Sequence, residues 1–511
     1  MASTAAQRSY TAPCPGCGAP VNFASAQSTH AVCGYCQSSI VRSGDVLSRI
    51  GKMAELFDDH SPLQLQAAGT WRGQGFTLIG RLQYKYAEGT WTEWAALLAD
   101  GSSGYLSEDN GAYVFALPQK MAREMPAPER FKLGLTTAIN GESFSVASNQ
   151  QVLLLSAQGE LAHLPPLGQP FAMVELRSQA QAGAAAEAQS GGKVLSIDYS
   201  TQPASVTLGT PVRLEDLKLT GLREASVKSE AARQFNCPHC GAAISITLAS
   251  SQSISCPSCQ SLIDVSGGIG GELKSALQDE PVQPLIALGS SGQLQGVAWQ
   301  VVGFQHRMGT DPSDPDEQFG WEEYLLYNQQ RGFIFLVDAS DGWSLVKPAT
   351  GAPVVSSNGQ SATYLGTKYQ LKESYSAETT YALGEFYWQV TRGQRLSLRD
   401  YASAANLLSM EQSANELVWS VGSKIDSDKV AAAFKLDGKK DLLKRSDAGP
   451  VSLGSGMSLR TLIVIFLLLI LLSIIISRCS DCDPKVENCS SSSSRSWGGS
   501  FGGFSSGGSH K

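Results

Sequence analysis

The chain has 511 residues, of which 42% are hydrophobic and 17% charged, and its formal net charge is −7. This length and this balance are typical of several folded domains and exclude a chain that is disordered throughout. A net negative charge disfavours nucleic-acid binding, because phosphate contacts require a basic face and supply much of the affinity.

Two cysteine quartets share the spacing Cys-x2-Cys-x15-Cys-x2-Cys, and they consist of Cys14, Cys17, Cys33 and Cys36, and of Cys237, Cys240, Cys256 and Cys259. Two CxxC pairs can complete a tetrahedral Zn²⁺ shell, and the spacing suits a small β-hairpin ribbon. Four thiolates leave no open position for catalysis, so we predict two structural zinc ions. Redox-active CxxC pairs are the alternative, but these usually occur singly beside a βαβ pattern.

The quartets begin two tandem units, because the sequence similarity continues beyond the cysteines. Apolar residues at helical spacing follow each quartet, and short β-type runs bounded by glycines come next. We therefore predict a mainly β protein with zinc ribbons, connecting helices and barrel- or sandwich-like β-rich modules, in this order: ribbon 1–42, helix 43–62, module 63–225, ribbon 226–265, helix 266–284 and module 285–436. An Ala/Gln/Gly-rich insertion near 179–192 is predicted to be a flexible loop.

Several residues recur at matching places in the two modules. Gly159-Glu160 matches Gly384-Glu385, and an acid near aromatic residues recurs as Glu93 and Glu323. Such an acid can have a raised pKa and serve as a general acid or base toward a small molecule, such as a polyamine or a lipid headgroup. A purely structural role explains the recurrence equally well. Outside the Ser/Gly-rich tail the chain contains no GxSxG motif, and it contains no P-loop or HExxH motif, which lowers the expectation of an enzyme.

The C-terminal part is predicted to hold a linker (437–458), a transmembrane helix (459–478) and a disordered Ser/Gly-rich tail (479–511). The uncharged run between Arg460 and Arg478 spans about 25 Å as a helix, close to the thickness of a bilayer core. Lys and Arg are more frequent before the run than after it, which places the N-terminal bulk in the cytoplasm. The first thirteen residues have no apolar signal-peptide region, and thiolate zinc sites suit a reducing compartment.

The second module resembles a bacterial family of unknown function, the domain of unknown function 4178 family. The resemblance rests on six segments: Trp321–Leu326, Asp341–Val346, Gly384–Trp388, Asp400–Tyr401, Trp419–Gly422 and Ala433–Phe434. The first module resembles a degenerate copy, so the resemblance covers most of residues 61–436. It implies a membrane-associated accessory protein, often encoded near polyamine aminopropyltransferase-like and small membrane proteins and sometimes linked with envelope stress. It implies no catalytic residues.

We therefore expect a single-pass protein of the bacterial inner membrane that acts as a zinc-ribbon scaffold or adaptor for protein partners. The bilayer itself is the other expected partner, through residues 459–478. Two alternatives remain open, namely a small-molecule-binding or enzymatic β module near Glu93 and Glu323, and a nucleic-acid-binding ribbon protein. The second is disfavoured, because no Lys or Arg lies between the first and last cysteine of either quartet.

Overall fold

The computed structural model describes the ranges 10–43, 46–53, 61–87, 89–109, 112–179, 192–223, 233–248, 251–265, 274–278, 281–312, 314–329 and 331–445. These residues are mainly in antiparallel strands, as predicted from the alternating and glycine-bounded sequence pattern. The chain divides into a large unit, Met1–Lys444, and a second unit, Arg445–Lys511. All the strands described below belong to the large unit.

The first repeat consists of a ribbon and a β module. Its strands are β1 (Tyr10–Pro13), β2 (Pro20–Phe23), β3 (His30–Val32), β4 (Ser38–Ser43), β5 (Val46–Lys52), β6 (Ala68–Trp71), β7 (Gln74–Lys85), β8 (Thr90–Leu98), β9 (Ser103–Asp109), β10 (Ala112–Pro118), β11 (Thr136–Ile139), β12 (Glu142–Leu161), β13 (Phe171–Ser178), β14 (Val194–Asp198) and β15 (Ser205–Val212). Short 3₁₀ helices cover Pro128–Arg130 and Leu214–Leu217.

The second repeat has the same organisation and ends in short helices. Its strands are β16 (Arg233–Asn236), β17 (Ala243–Ile246), β18 (Ser253–Ser255), β19 (Leu262–Asp264), β20 (Lys274–Ala276), β21 (Ser291–Leu294), β22 (Val297–Asp311), β23 (Asp314–Asn328), β24 (Gly332–Ala339), β25 (Gly342–Pro348), β26 (Val354–Val355), β27 (Ser361–Tyr364), β28 (Thr367–Phe386), β29 (Leu396–Ser403), β30 (Asn406–Gln412) and β31 (Leu417–Ile425). Helix α1 (Ser427–Ala433), a 3₁₀ turn (Asp437–Lys439) and α2 (Lys440–Leu443) follow.

Each β module closes into an eight-stranded antiparallel barrel. In the first, the order is β12-β13-β14-β15-β10-β9-β8-β7, and β7 pairs back with β12. In the second, the order is β28-β29-β30-β31-β25-β24-β23-β22, and β22 pairs back with β28. Closure gives every barrel strand two hydrogen-bonded neighbours. The structure therefore selects the barrel from the two predicted alternatives.

Side chains from opposite strands meet inside the second barrel. Arg307 on β22 reaches Glu411 on β30, and Trp321 on β23 belongs to the same buried cluster as Leu398 on β29. These contacts cross the barrel, so they identify the face of the sheet that is interior. An eight-stranded barrel is narrow enough for its side chains to fill the interior. The second barrel therefore has a packed, partly polar interior.

The C-terminal helices belong to the second module, which corrects the predicted boundary at residue 436. Val430 and Leu443 are fully buried, in one cluster with Tyr324 and Trp343 on the outer face of the barrel. The Trp343 indole Nε1 also donates a hydrogen bond of 2.8 Å to the carbonyl oxygen of Leu443. The predicted linker 437–458 therefore begins with folded structure, and its remainder after Arg445 lies outside the described residues.

The two predicted connecting helices are wrong where the structure describes them. Val46–Lys52 is strand β5, paired with β4, and Lys274–Ala276 is strand β20, paired with β19. The apolar residues that suggested a helix in the first repeat include Val46 and Ile50, which are 63% and 51% exposed. Residues four apart lie on one side of a strand as well as of a helix, so spacing alone could not separate the two. The other parts of both helices, 54–60 and 266–273, lie outside the described residues.

Three further predictions concern segments outside the described residues: most of the insertion at 179–192, the transmembrane helix at 459–478 and the tail at 479–511. Within the ranges that the structure describes, no helix has the length and apolar character needed to cross a bilayer.

Candidate metal centres and their junction with the barrels

The eight predicted cysteines form two four-sulfur clusters, in which all Sγ atoms lie within 4.8 Å of one another. Cys14 and Cys36 are 3.7 Å apart at Sγ, as are Cys17 and Cys33 in the first cluster. The second cluster repeats both distances. A tetrahedral ion with Zn–S bonds of about 2.3 Å has sulfur–sulfur edges of about 3.8 Å, whereas a disulfide measures about 2.05 Å. Each cluster can therefore hold a metal ion, and the donors fit Zn²⁺.

Tight turns at the two CxxC pairs bring the sulfur atoms together. In the first turn of ribbon 1, the Gly18 N–H donates to the carbonyl of Cys14 (2.9 Å), and Gly18 has φ +76°. In the second turn, the Gln37 N–H donates to the carbonyl of Cys33 (2.9 Å), and Gln37 also has a positive φ of 59°. Gly241 and Gln260 repeat both conformations in ribbon 2. The repeated Cys-Gln-Ser sequence therefore supplies a turn as well as a ligand.

A serine hydroxyl lies beside one sulfur of each cluster. Ser38 Oγ is 3.1 Å from the Sγ of Cys36, and Ser261 Oγ is 3.1 Å from the Sγ of Cys259. Hydrogen bonds from the serine hydroxyl and then from its backbone N–H lower the pKa of Cys36 to about 6, and the same pair of bonds lowers the pKa of Cys259 to about 6. A low pKa favours the thiolate, which is the form that binds metal.

A buried glutamate fastens each ribbon to its barrel. Glu160 at the end of β12 accepts hydrogen bonds from the backbone N–H groups of Ala24 (2.7 Å) and Ser25 (3.1 Å) in ribbon 1. Its side chain is enclosed, since Glu160 is only 7% exposed. A buried carboxylate requires such donors, because burial without them is costly.

Glu385 performs the same role in the second repeat. It accepts hydrogen bonds from the N–H groups of Thr247 (2.8 Å) and Leu248 (2.8 Å) and from the Ser251 hydroxyl (2.6 Å). It is also 7% exposed. The sequence pattern identified the recurring Gly-Glu pair but assigned it no role, because its donors lie more than 130 residues away along the chain. Only the tertiary structure brings donor and acceptor together.

The glycine before each glutamate allows the backbones to approach closely. Gly159 has φ +74°, and a Cβ atom there would lie 2.3 Å from the carbonyl oxygen of Ile79. Gly384 has φ +87°, and a Cβ atom there would lie 2.2 Å from the carbonyl oxygen of Val302. No other residue type fits both constraints. At these points β12 pairs with both β7 and ribbon strand β3, and β28 pairs with β22 and ribbon strand β18.

Glu93 lies inside the first barrel, where no cation of the described residues is paired with it. Burial, and then the negative charge of Asp198 on the opposite strand β14, raise the pKa of Glu93 to about 8. Burial likewise raises the pKa of Asp198 above its ordinary value. At neutral pH the Glu93 carboxyl is therefore mainly protonated.

Glu323 occupies the corresponding position in the second barrel but has a different environment. Its carboxylate accepts hydrogen bonds from Trp321 Nε1 (2.7 Å) and Gln305 Nε2 (2.6 Å), and it lies 3.5 Å from Arg307 Nη1. Arg307 is the register partner of Trp321, whereas Tyr84 is the partner of Trp91 in the first barrel. Tyr84 of the first barrel therefore occupies the position of the cation Arg307 in the second. This explains why Glu323 has a cationic neighbour and Glu93, among the described residues, does not.

The described fold combines two closed β barrels with a four-cysteine ribbon attached to each. The family model described as domain of unknown function (DUF4178) matches residues 64–212 and 287–427. These ranges make up more than half of the chain, and the chain belongs to this family. They coincide with the two barrels and leave both ribbons outside. No curated protein and no solved structure matches the chain significantly.

Metal content tests the two clusters. We expect the reduced protein to contain about two Zn²⁺ per chain, and Cys237→Ser to retain about one, because three thiolates hold zinc more weakly than four. His239→Ala is the matched control, since His239 lies in the same turn without belonging to the cluster. Elemental analysis after gel filtration measures the ratio. A wild-type protein without zinc, or a loss of zinc in His239→Ala, would contradict the assignment of the two clusters as zinc sites.

Amide hydrogen exchange tests the glutamate junction. Glu385→Gln replaces one acceptor oxygen by an NH₂ group that faces a backbone donor, so we expect a loss of about 2 kcal/mol in ribbon docking. Exchange at residues 247–252 should then accelerate about 30-fold. Glu378→Gln on the same strand is the control, because its partner Arg395 is 76% exposed and the ion pair is long, at 3.8 Å. Equal effects in the two variants would argue against a specific junction.

Stability as a function of pH tests the environment of Glu93. Because its pKa is raised from 4.5 to about 8, folded protein retains a proton that unfolded protein releases in this interval. Unfolding free energy should therefore fall as pH rises from 4.5 to 8, by an amount on the order of 4 kcal/mol. Glu93→Gln should remove this fall and stabilise the protein at pH 8 in urea titrations. Glu323→Gln should instead destabilise it, because Arg307 loses a carboxylate partner.

Proposed function

We propose that this protein is a membrane-anchored scaffold or adaptor that presents two zinc ribbons to protein partners. In this proposal the two clusters hold structural Zn²⁺, and residues 459–478 cross the bacterial inner membrane with the N-terminal bulk in the cytoplasm. Four thiolates saturate a tetrahedral ion, so zinc would stabilise each ribbon rather than react. The uncharged run between Arg460 and Arg478 supports the anchor.

The observation that carries the proposal is a set of exposed apolar side chains on ribbon 1 and on strand β5, which pairs with its strand β4. Tyr35, within the second CxxC pair, is 77% exposed, and Val46 and Ile50 on β5 are 63% and 51% exposed. Large exposed apolar side chains on a rigid element are characteristic of protein contact sites. The Glu160 junction and the pairing of β3 with β12 hold this surface in a fixed position on the barrel. A partner would therefore meet a preorganised surface, which lowers the entropic cost of binding.

The small-molecule alternative has less support. Glu93 and Glu323, its candidate residues, lie inside closed barrels, and Glu323 is already engaged by Trp321, Gln305 and Arg307. A substrate would have to displace these contacts before it reached the carboxylate.

Site-specific photo-crosslinking in intact cells tests the scaffold. A photoreactive phenylalanine analogue at Tyr35 of the full chain should give a discrete protein adduct in the membrane fraction. The control is the same analogue at Ser258, which occupies the equivalent place in the second ribbon and is polar. The Tyr35 adduct should weaken when Val46 and Ile50 are both changed to Ser. Absence of any discrete adduct, or recovery of the chain in the aqueous fraction, would count against the proposal.

A further inference from the structure

The segment at the C-terminal end of the described residues is strongly basic. Residues 435–445, here called the basic turn, contain five Lys or Arg and two Asp, a net charge of +3 in a chain whose formal net charge is −7. Lys439, Lys440 and Lys444 are all exposed. Positive charge is therefore concentrated at one place, the end of the second barrel domain that leads toward the apolar run.

The basic turn is rigidly attached to the second barrel. Leu443 is completely buried against the barrel, and Trp343 Nε1 holds its carbonyl oxygen at 2.8 Å. The residue before it, Leu442, points outward and is 57% exposed. Lysines surrounding an exposed leucine form a surface that suits a headgroup layer, where the cations meet phosphates and the leucine reaches the apolar boundary.

Chain connectivity brings this surface near a bilayer. Fifteen residues, 446–460, separate the basic turn from the uncharged run, and they can span at most about 50 Å. They contain one acidic residue, Asp447, and no basic residue before Arg460. A surface tethered so close to an anchor has a high effective concentration at the membrane.

We propose that the basic turn binds the anionic headgroups of the lipid bilayer and thereby holds the second barrel against the membrane surface. This inference rests on the proposed membrane anchor and adds the lipid class and the residues that contact it. Each lysine near an anionic surface contributes about 1 kcal/mol, which corresponds to about fivefold in binding. A nucleic acid offers similar charge but neither an adjacent anchor nor an apolar boundary for Leu442, so the bilayer is the better fit.

Vesicle sedimentation tests the basic turn. The fragment 1–445 is suitable because it contains the complete compact unit Met1–Lys444 and lacks the apolar run. It should bind vesicles of phosphatidylglycerol and phosphatidylcholine, bind pure phosphatidylcholine far more weakly, and be released by 0.5 M NaCl, because salt screens surface charges (roughly a 4 Å Debye length). The triple variant K439E/K440E/K444E should bind at least about 100-fold more weakly. The milder K439Q/K440Q/K444Q should show an intermediate loss.

The matched control carries the same change in net charge at three exposed basic residues of the first module, K120E/R123E/K132E. It should retain binding within a small factor, and thermal unfolding should be unchanged in all variants. The proposal would be overturned if the basic-turn variant and the control variant lost vesicle binding equally. It would also be overturned if the wild-type fragment bound charged and neutral vesicles equally well. Equally tight binding of the fragment to duplex DNA at the same salt would also overturn it.

A separate measurement distinguishes this proposal from the anchor on which it rests. Carbonate extraction of membranes containing the full chain reports the anchor alone, because high pH and salt strip peripheral charge contacts. Release of the full chain would contradict the anchor. If the full chain stays in the extracted membranes but the fragment binds vesicles regardless of lipid charge, only the proposal for the basic turn is contradicted.

Discussion

In each repeat, a single long strand belongs to both the barrel and the ribbon, and the described structure depends on this constraint. Strands β12 and β28 each complete a barrel and then continue to pair with a ribbon strand. A glycine at the branching point allows the backbones to approach, and the next residue, Glu160 or Glu385, satisfies backbone donors of the ribbon. A metal ion held by the four cysteines would stabilise the ribbon that supplies those donors, so metal binding would be energetically coupled to the attachment of the ribbon.

The two repeats share this junction but differ inside their barrels. Glu323 is engaged by Trp321, Gln305 and Arg307, whereas burial and Asp198 raise the pKa of Glu93 to about 8. Two replacements account for much of the contrast, because Tyr84 and Leu82 of the first barrel take the places of Arg307 and Gln305 of the second. The junction residues therefore recur in both repeats, whereas the strand partners of the recurring interior acid differ.

The family match covers the two barrels and not the ribbons. In this chain each DUF4178 barrel thus carries an added four-cysteine ribbon, and the ribbon of the first repeat also bears the exposed Tyr35. The C-terminal segment of the described chain bears a basic turn held by Trp343. The exposed side chains of the first ribbon are apolar and those of the basic turn are cationic, and the scaffold proposed above would use both.

The sequence by itself determined the two cysteine quartets that could hold metal ions, the duplication and the β-rich character, because cysteine spacing and alternating hydrophobicity are local properties that short stretches of chain encode. Only the tertiary structure decided that the sheets close into barrels, that Val46–Lys52 is a strand rather than a helix, and that Glu160 and Glu385 fasten the ribbons. These features depend on pairings between residues far apart in the chain. Hydrogen bonds to such distant partners satisfy the backbone and the buried carboxylates, and no local pattern specifies which partner will be chosen.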